Sequence, residues 1–290
     1  ESRPDNVHCM NVDMLLAGYR AIGAGRFIYD SREHFATTGH YPWHVRRWWM
    51  LKERLLVPRA GGVLTVSEPI AEDLARRYRI GRPTVIYNGP VSVVDVATPA
   101  HEPLRVLHLG TLFTDRSVPD LVRAVAQLQD EVLLTIQGRG PEESTIRSLI
   151  DDLDARSVVD LVPPCAPVAI TESARNRDVG VFIAPPKTQN LAWSAANKLF
   201  EYMGAGLAVL LPPGFPVMCG IVESAGCGVV FDPPTVTGLT ECLKHLVDNP
   251  AEVERMKRNA VKAAAKYSWD SQAPALYEVY ERALNRARAQ

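Results

Sequence analysis

From Leu104 onward, short, mainly apolar runs recur along the chain at Leu104–Leu109, Val132–Ile136, Val158–Val162, Val179–Ile183, Leu207–Leu211 and Gly228–Phe231. Between most of them apolar residues return every third or fourth position, as in Leu121, Val125 and Leu128 and again in Ile146, Ile150 and Leu153. A continuous apolar run predicts a strand covered on both faces, and the three-to-four spacing predicts an amphipathic helix. Their alternation predicts an α/β doubly wound parallel sheet, whose ligands lie beyond the carboxyl ends of the strands.

A shorter α/β region comes first. Asn6–His8, Arg26–Tyr29 (RFIY), Gly62–Val66 (GVLTV) and Thr84–Tyr87 (TVIY) read as strands. Ser67 stands where a helix cap is expected, ahead of Ile70, Leu74 and Tyr78 on one face. The stretch Asn88–Pro103 carries Pro90, Pro99 and Pro103 without helical periodicity and reads as a linker. Residues 1–98 are therefore expected to form a partial N-terminal Rossmann-like domain plus linker, and residues 99–270 a C-terminal nucleotide-binding domain. Leu276, Val279 and Tyr280 share a stripe in the final stretch, so residues 271–290 are expected to form a helix packing back toward the N-terminal domain.

A length of 290 residues suits two domains. Lys and Arg total 32 against 33 Asp and Glu, so no overall positive field favours nucleic acid, and no nucleic-acid partner is expected. The five cysteines (Cys9, Cys165, Cys219, Cys227, Cys242) are scattered and form no CxxC pair, which fits reduced thiols in the cytoplasm better than disulfides or zinc. No apolar run approaches the ~20 residues of a bilayer span, and the first residues do not read as a signal peptide. The sequence starts without Met, close to a strand, as a fragment would.

Two turns and one helix carry candidate chemistry. At Gly110–Val118 (GTLFTDRSV) a strand gives way to a helix whose free N–H groups suit phosphate, with Thr111 in the turn and Arg116 just ahead of the helix. Gly138-Arg139-Gly140-Pro141 follows the next strand and reads as a tight turn with positive-φ glycines. In Asn197–Gly206 (NKLFEYMGAG), Lys198 and Glu201 stand three apart and share a helix face. A carboxylate there suits a ribose diol and an ammonium suits phosphate. On spacing alone, a solvated surface pair worth a few tenths of a kcal/mol fits slightly better.

The order NKLFEYMGAGLAVLL, a Pro/Gly-rich loop at Pro212–Pro216, and GCGVVFDPP resembles the glycosyl transferases group 1 family, that is, glycosyltransferase family 4 with the GT-B fold. Val63–Pro90 (VLTVSEPIAEDLARRYRIGRPTVIYNGP) is similar to the last segment of that family's N-terminal domain. RVLHLGTLFTDRSVPDLVRAV is similar to the opening of its C-terminal domain, and AKYSWDSQAPALYEVYERAL to its closing helix. The resemblance implies two Rossmann-like domains facing a cleft, and a retaining, metal-independent transfer of a sugar from a nucleotide-diphosphate-sugar, UDP- or GDP-linked, to a glycan, lipid-linked or small-molecule acceptor. It also implies glycan biosynthesis in the cytoplasm or at the inner face of the membrane, with no further cofactor. Glu201 takes the place of the second Glu of the family's paired-glutamate motif, which binds the donor ribose. Lys198 and Arg116 take diphosphate-binding and leaving-group roles, with Gly110, Thr111 and Gly138 forming the donor turns.

The chain departs from that pattern on the acceptor side. Eight residues before Glu201, where the first Glu belongs, stands Trp193. Tyr29-Asp30-Ser31-Arg32-Glu33 carries Arg32 where the family has a His near the donor sugar, with His34 two residues on. Arg32, His34, Trp193 and Asn197 are the candidates for the sugar and acceptor side. The family's first strand, its glycine-rich acceptor loop and about two βα units of ~30 residues each have no counterpart, which implies an exposed sheet edge. A fragment, a partner chain that completes the domain, or lost catalysis would each account for this. The alternative function is thus a weak or inactive GT-B-like subunit that binds a partner protein. Finally, Tyr41–Arg59 sets Trp43, Trp48 and Trp49 among His44, Arg46, Arg47, Lys52 and Arg54. It reads either as a peripheral membrane contact or as a core-packed helix with solvated charges, with Glu53 pairing inside the helix.

Overall fold

The computed structural model describes residues 4–39 and 41–288. It divides into two compact units: residues 1–88, 186–195 and 270–290 make the first, and residues 89–185 and 196–269 the second.

The first unit begins with β1 (Val7–Met10), α1 (Asn11–Ile22), β2 (Phe27–Ser31) and α2 (Trp43–Leu56). It continues through β3 (Gly62–Thr65), α3 (Glu68–Tyr78) and β4 (Thr84–Val85). The strands pair in parallel in the order β1-β2-β3-β4, with Cys9 opposite Tyr29 and Tyr29 opposite Val63. β1 is thus an edge strand among the described residues. Phe27 and Tyr29 face one layer, with Leu15, Trp49, Leu56, Ile70 and Leu74. Ile28 and Leu64 face the other, where they meet Val279 and Ala283. Such two-sided burial is why these strands read as unbroken apolar runs.

Three details differ from expectation here. Ser67 does occupy the cap position of α3, but its side chain makes no capping bond and its buried Oγ has no partner among the described residues. Glu53 does not pair within its helix. Its carboxylate is buried and accepts from Tyr29 Oη (2.6 Å) and Tyr78 Oη (2.7 Å). The core-packed reading of the tryptophan helix holds for Trp49, which is buried, but not for Trp43 and Trp48, which are exposed.

The second unit opens with β5 (Leu104–Leu109), α4 (Val118–Ala126), β6 (Val132–Gln137), α5 (Glu143–Asp152) and β7 (Val159–Val162). After α6 (Ile170–Ala174) and β8 (Val179–Val181), the chain supplies α7 (Gln189–Trp193) to the first unit. It then returns through α8 (Asn197–Gly204), β9 (Ala208–Leu211), α9 (Pro216–Ala225), β10 (Gly228–Val230), α10 (Val236–Asp248) and α11 (Pro250–Tyr267). The last helix, α12 (Trp269–Arg288), belongs mainly to the first unit. The strand order β10-β9-β8-β5-β6-β7 is parallel throughout. The order reverses beside β5, so a crevice opens where helices leave for opposite faces of the sheet.

Tyr202 fixes α8 to that switch point. Its ring lies over Gly180, where an added Cβ would come within 2.2 Å of it. Its hydroxyl accepts from Leu109 N (2.9 Å) and donates to the Val181 carbonyl (3.1 Å), satisfying the seam where β5 and β8 part. The α8 face carrying Lys198 and Glu201 is thereby held at the carboxyl end of β5.

Candidate functional site

Within the second unit, a cavity of about 300 Å³ opens at the carboxyl ends of β5 and β6. Gly110, Thr111 and Arg116 line it from the turn after β5, and Asn197, Lys198 and Glu201 from the first turns of α8. Gln137, Pro164, Cys165 and Ile170 close the far side. Five of the six expected donor-site residues thus converge on one cavity, and Asn197, expected on the sugar side, joins them.

Gly138, the sixth, lies behind the wall. A Cβ at Gly138 would stand 1.9 Å from the Gly110 carbonyl, and one at Gly140 would stand 2.4 Å from that of Leu112. Neither glycine has positive φ, so the expected tight-turn explanation is wrong for both. They are glycines because two backbones nearly touch, with Gly110 N donating to Gln137 O and Leu112 N to Arg139 O, each at 3.0 Å. Gly110 is the residue that needs the unusual dihedral, at φ 122°, and a Cβ there would meet Lys198 Nζ at 2.5 Å. The lysine ammonium therefore lies directly over the glycine turn.

The electrostatics favour an anion. Burial, and then the neighbouring Arg116 guanidinium, lower the Lys198 pKa to about 8 against the opposing pull of Glu201 and Asp115. Burial also raises the Glu201 carboxyl, partly offset by Lys198. Arg116 stays near Asp115 (Nε to Oδ1 3.5 Å) and is about a quarter exposed. His108, fully buried on β5, donates through Nδ1 to the Val181 carbonyl at 3.1 Å, and its Nε2 has no partner among the described residues. Burial, with Lys198 nearby, lowers its pKa to about 3, so it is a neutral imidazole. Two cations packed in partly dehydrated space repel each other, and a diphosphate would relieve that repulsion.

The sign of the pH effect follows. With the unliganded ammonium titrating at about 8, a bound diphosphate raises that value, so binding takes up a proton above it. Affinity for UDP is expected to be flat below pH 7 and to fall by up to about tenfold per pH unit above 8. Isothermal titration across pH 6.5–9.5 in buffers of different ionisation enthalpy measures both the slope and the proton uptake. A flat profile would remove Lys198 from the binding site.

The other three candidates lie in the first unit. His34 is buried, with Nε2 2.8 Å from Asp73 Oδ2, Nδ1 2.6 Å from Thr37 Oγ1, and its ring 5.3 Å from that of Trp193. Burial lowers its pKa, against the opposing pull of Asp73. Its backbone N–H donates to Asn190 Oδ1 at 2.6 Å, so the start of α7 is tied to the loop after β2. Arg32 is exposed. Sequence reasoning did not single out Gln137, Pro164, Cys165 or Ile170 for the site; each looks like an ordinary strand end or loop residue until the fold brings it to the cavity.

A doubly wound unit with a cationic crevice at its switch point, preceded by a second parallel α/β unit, is the GT-B-like architecture of sugar-transferring enzymes. Residues 95–263 match the Glycosyl transferases group 1 family and residues 1–90 match Glycosyltransferase Family 4; the chain belongs to the first of these, and the second covers its N-terminal region. It is 24% identical over 259 residues to the MMP alpha-(1->4)-mannosyltransferase of Mycolicibacterium hassiacum, covering 84% of this chain and 60% of that protein. The chain therefore spans well under the full length of that relative. Among solved structures, sucrose-phosphate synthase from Thermosynechococcus elongatus superposes with a TM-score of 0.75 at 17% identity, over 96% of this chain and 73% of the other. Alr3699/HepE of Anabaena in complex with UDP superposes at 0.72 with 16% identity, over 93% and 75%. No helix among the described residues is long and apolar enough to cross a membrane.

Proposed function

We propose that the chain is a retaining glycosyltransferase that takes a sugar from a UDP- or GDP-linked donor, with its second unit as the donor-binding domain and its first as the acceptor-side domain. The convergence of Lys198, Arg116 and Glu201 on one cavity beside the Gly110 turn carries this reading. Arg116 and Lys198 would hold the diphosphate and stabilise the charge that grows on it as the glycosidic bond to the sugar breaks. The acceptor hydroxyl proton would pass to the departing β-phosphate oxygen, so no protein base is needed, and attack on the same face retains the anomeric configuration. Glu201 would accept hydrogen bonds from the two ribose hydroxyls. The UDP held by the Anabaena neighbour supports a uridine donor.

Calorimetric titration with UDP and with GDP tests the donor site. Glu201→Ala is expected to weaken the preferred nucleotide by about 10- to 100-fold, the loss of charge-assisted hydrogen bonds worth about 1.5–3 kcal/mol. Unchanged affinity in that variant would sink the ribose role, and failure of a folded chain to bind either nucleotide would sink the donor site.

A second reading rests on Trp193. Where the family carries a glutamate, this tryptophan packs on the buried His34. A GT-B-like subunit that binds nucleotide without transferring sugar, and serves a partner protein, fits that replacement. Release of free sugar or a glycosylated product from a nucleotide-sugar by this chain alone would exclude it.

A further inference from the structure

One surface of the first unit plays no part in the donor site. On α2, at about 100° per residue, Trp48, Leu51 and Leu55 fall within about 60° of one another. They point away from the buried Trp49, Glu53 and Leu56, and are 54%, 44% and 51% exposed. Arg47 and Arg54 flank this strip on one side and Lys52 on the other. Two of the cations reach over aromatic rings, Arg47 over Trp43 and Lys52 over Trp48, each at 5.8 Å.

Beside the strip, α2 and the end of α3 enclose a groove of about 900 Å³. Its walls hold Arg47, Arg54, Arg77 and Arg79, with Trp48 and Leu51 among the remaining lining residues, and no carboxylate lines it. Of the acids on these two helices, Glu53 and Asp73 face inward, while Glu68 and Glu72 of α3 are exposed and pair with Arg82. Glu53 is held by two tyrosines, and the buried Asp73 is taken up by His34, Arg76 and Arg77. Arg47, Arg54 and Arg79 form no ion pair among the described residues.

Solvent alone does not favour this arrangement, because three large apolar side chains stand in water between unpaired cations. We infer that this face is a docking surface for an anionic membrane leaflet, with Trp48, Leu51 and Leu55 entering the headgroup layer and the groove arginines taking lipid phosphates. The charge selects the occupant. The unpaired Arg47, Arg54 and Arg79, with no carboxylate lining the groove between them, complement a polyanionic plane, and the convex apolar strip between the cations suits a soft interface better than a rigid partner's pocket. The inference is independent of sugar transfer, since it concerns the first unit alone.

Co-sedimentation with vesicles of phosphatidylcholine, with and without phosphatidylglycerol, is the direct test. The chain is expected to bind only the mixed vesicles and to be released as salt shortens the screening length. The double variant Arg47→Gln/Arg54→Gln is expected to weaken binding about 25-fold, about fivefold per charge. Trp48→Ser is expected to weaken it as well, with UDP affinity and thermal midpoint unchanged in both variants. Binding that ignores phosphatidylglycerol, or that survives the double variant, would overturn the proposal. So would a Trp48→Ser variant that binds mixed vesicles as tightly as the parent, because contact would then be purely ionic and open to any polyanion.

Discussion

Replacing Lys198 with methionine is expected to lower sugar transfer by about 10²- to 10³-fold, the cost typical of losing one group aimed at developing charge, while making the apo protein more stable. The two effects have one cause. Holding an ammonium in this crevice lowers its pKa to about 8, first through burial and then through Arg116. Between that value and the ordinary lysine value the unfolded chain binds more protons than the folded one, so the fold gains stability as pH rises through this window. At neutral pH the full penalty is present. Methionine keeps the length of the stem and removes the charge, which should return on the order of 2 kcal/mol, a rise of about 5 °C in midpoint for a unit of this size. Thermal unfolding of both proteins at pH 7 and pH 10, beside transfer assays at saturating donor, separates the roles. Methionine that leaves the midpoint unchanged would mean Lys198 is well solvated, and unchanged transfer would mean the leaving charge is carried by Arg116 alone. Stability given up at a site that must hold charge ready is a common exchange in enzymes.

The opposite outcome is expected deep in the same unit. Lys257 Nζ is completely buried, and its three N–H groups are shared among four acceptors: Asp178 Oδ1 (2.7 Å), Thr98 Oγ1 (3.0 Å), and the carbonyls of Arg177 (3.0 Å) and Pro99 (3.2 Å). Asp178 Oδ2 in turn accepts from Arg105 N at 2.9 Å, and Oδ1 lies 2.9 Å from His101 Nδ1. This network ties the residues entering β5 to the strand-entry loop of β8 and to α11. Lys257→Met removes one member and leaves a buried carboxylate with its principal cation gone, so a loss of about 3–5 kcal/mol is expected. Urea unfolding measures it. The double variant Lys257→Met/Asp178→Leu should recover part of the loss, because no uncompensated charge is then left. Equal loss in single and double variants would show that the hydrogen bonds to the entering segment, rather than the charge pair, hold that segment in place.

Which parts of this organisation could be read without coordinates depends on how local the deciding physics is. The six mainly apolar runs from Leu104 onward became the six strands of one parallel sheet, since a strand covered on both faces is apolar at most of its positions. Lys198 and Glu201 share a face because three residues make nearly one helical turn. Spacing could not tell that face from a solvated surface. It lines a cavity at the strand ends because Tyr202, on the same helix, anchors to Leu109 and Val181. The roles of Gly138 and Gly140 were misread for a similar reason. A sequence shows that a glycine is present, but the close approach of the Gly110 and Leu112 backbones, which requires it, is a contact between distant segments.

The tryptophan helix shows the same division. Its run of aromatic and basic residues was visible as a pattern compatible with either a core or an interface, since both use amphipathic helices. Tertiary packing resolved it by rotation. Trp49 and Glu53 turned inward, Glu53 onto two tyrosines, which left Trp48, Leu51 and Leu55 outside. The arginines of α3 joined them only through the fold.

By itself, the sequence determined the element types, the parallel α/β class and the helix face bearing Lys198 and Glu201, because periodicity and short-range spacing are properties of the backbone geometry alone. Only the tertiary structure decided that Lys198 sits over Gly110 with a depressed pKa, that Gln137, Cys165 and Ile170 close the cavity, and that Glu53 is a buried acceptor. Desolvation and charge–charge coupling depend on which segments meet in space, and that is set by the packing of the whole unit.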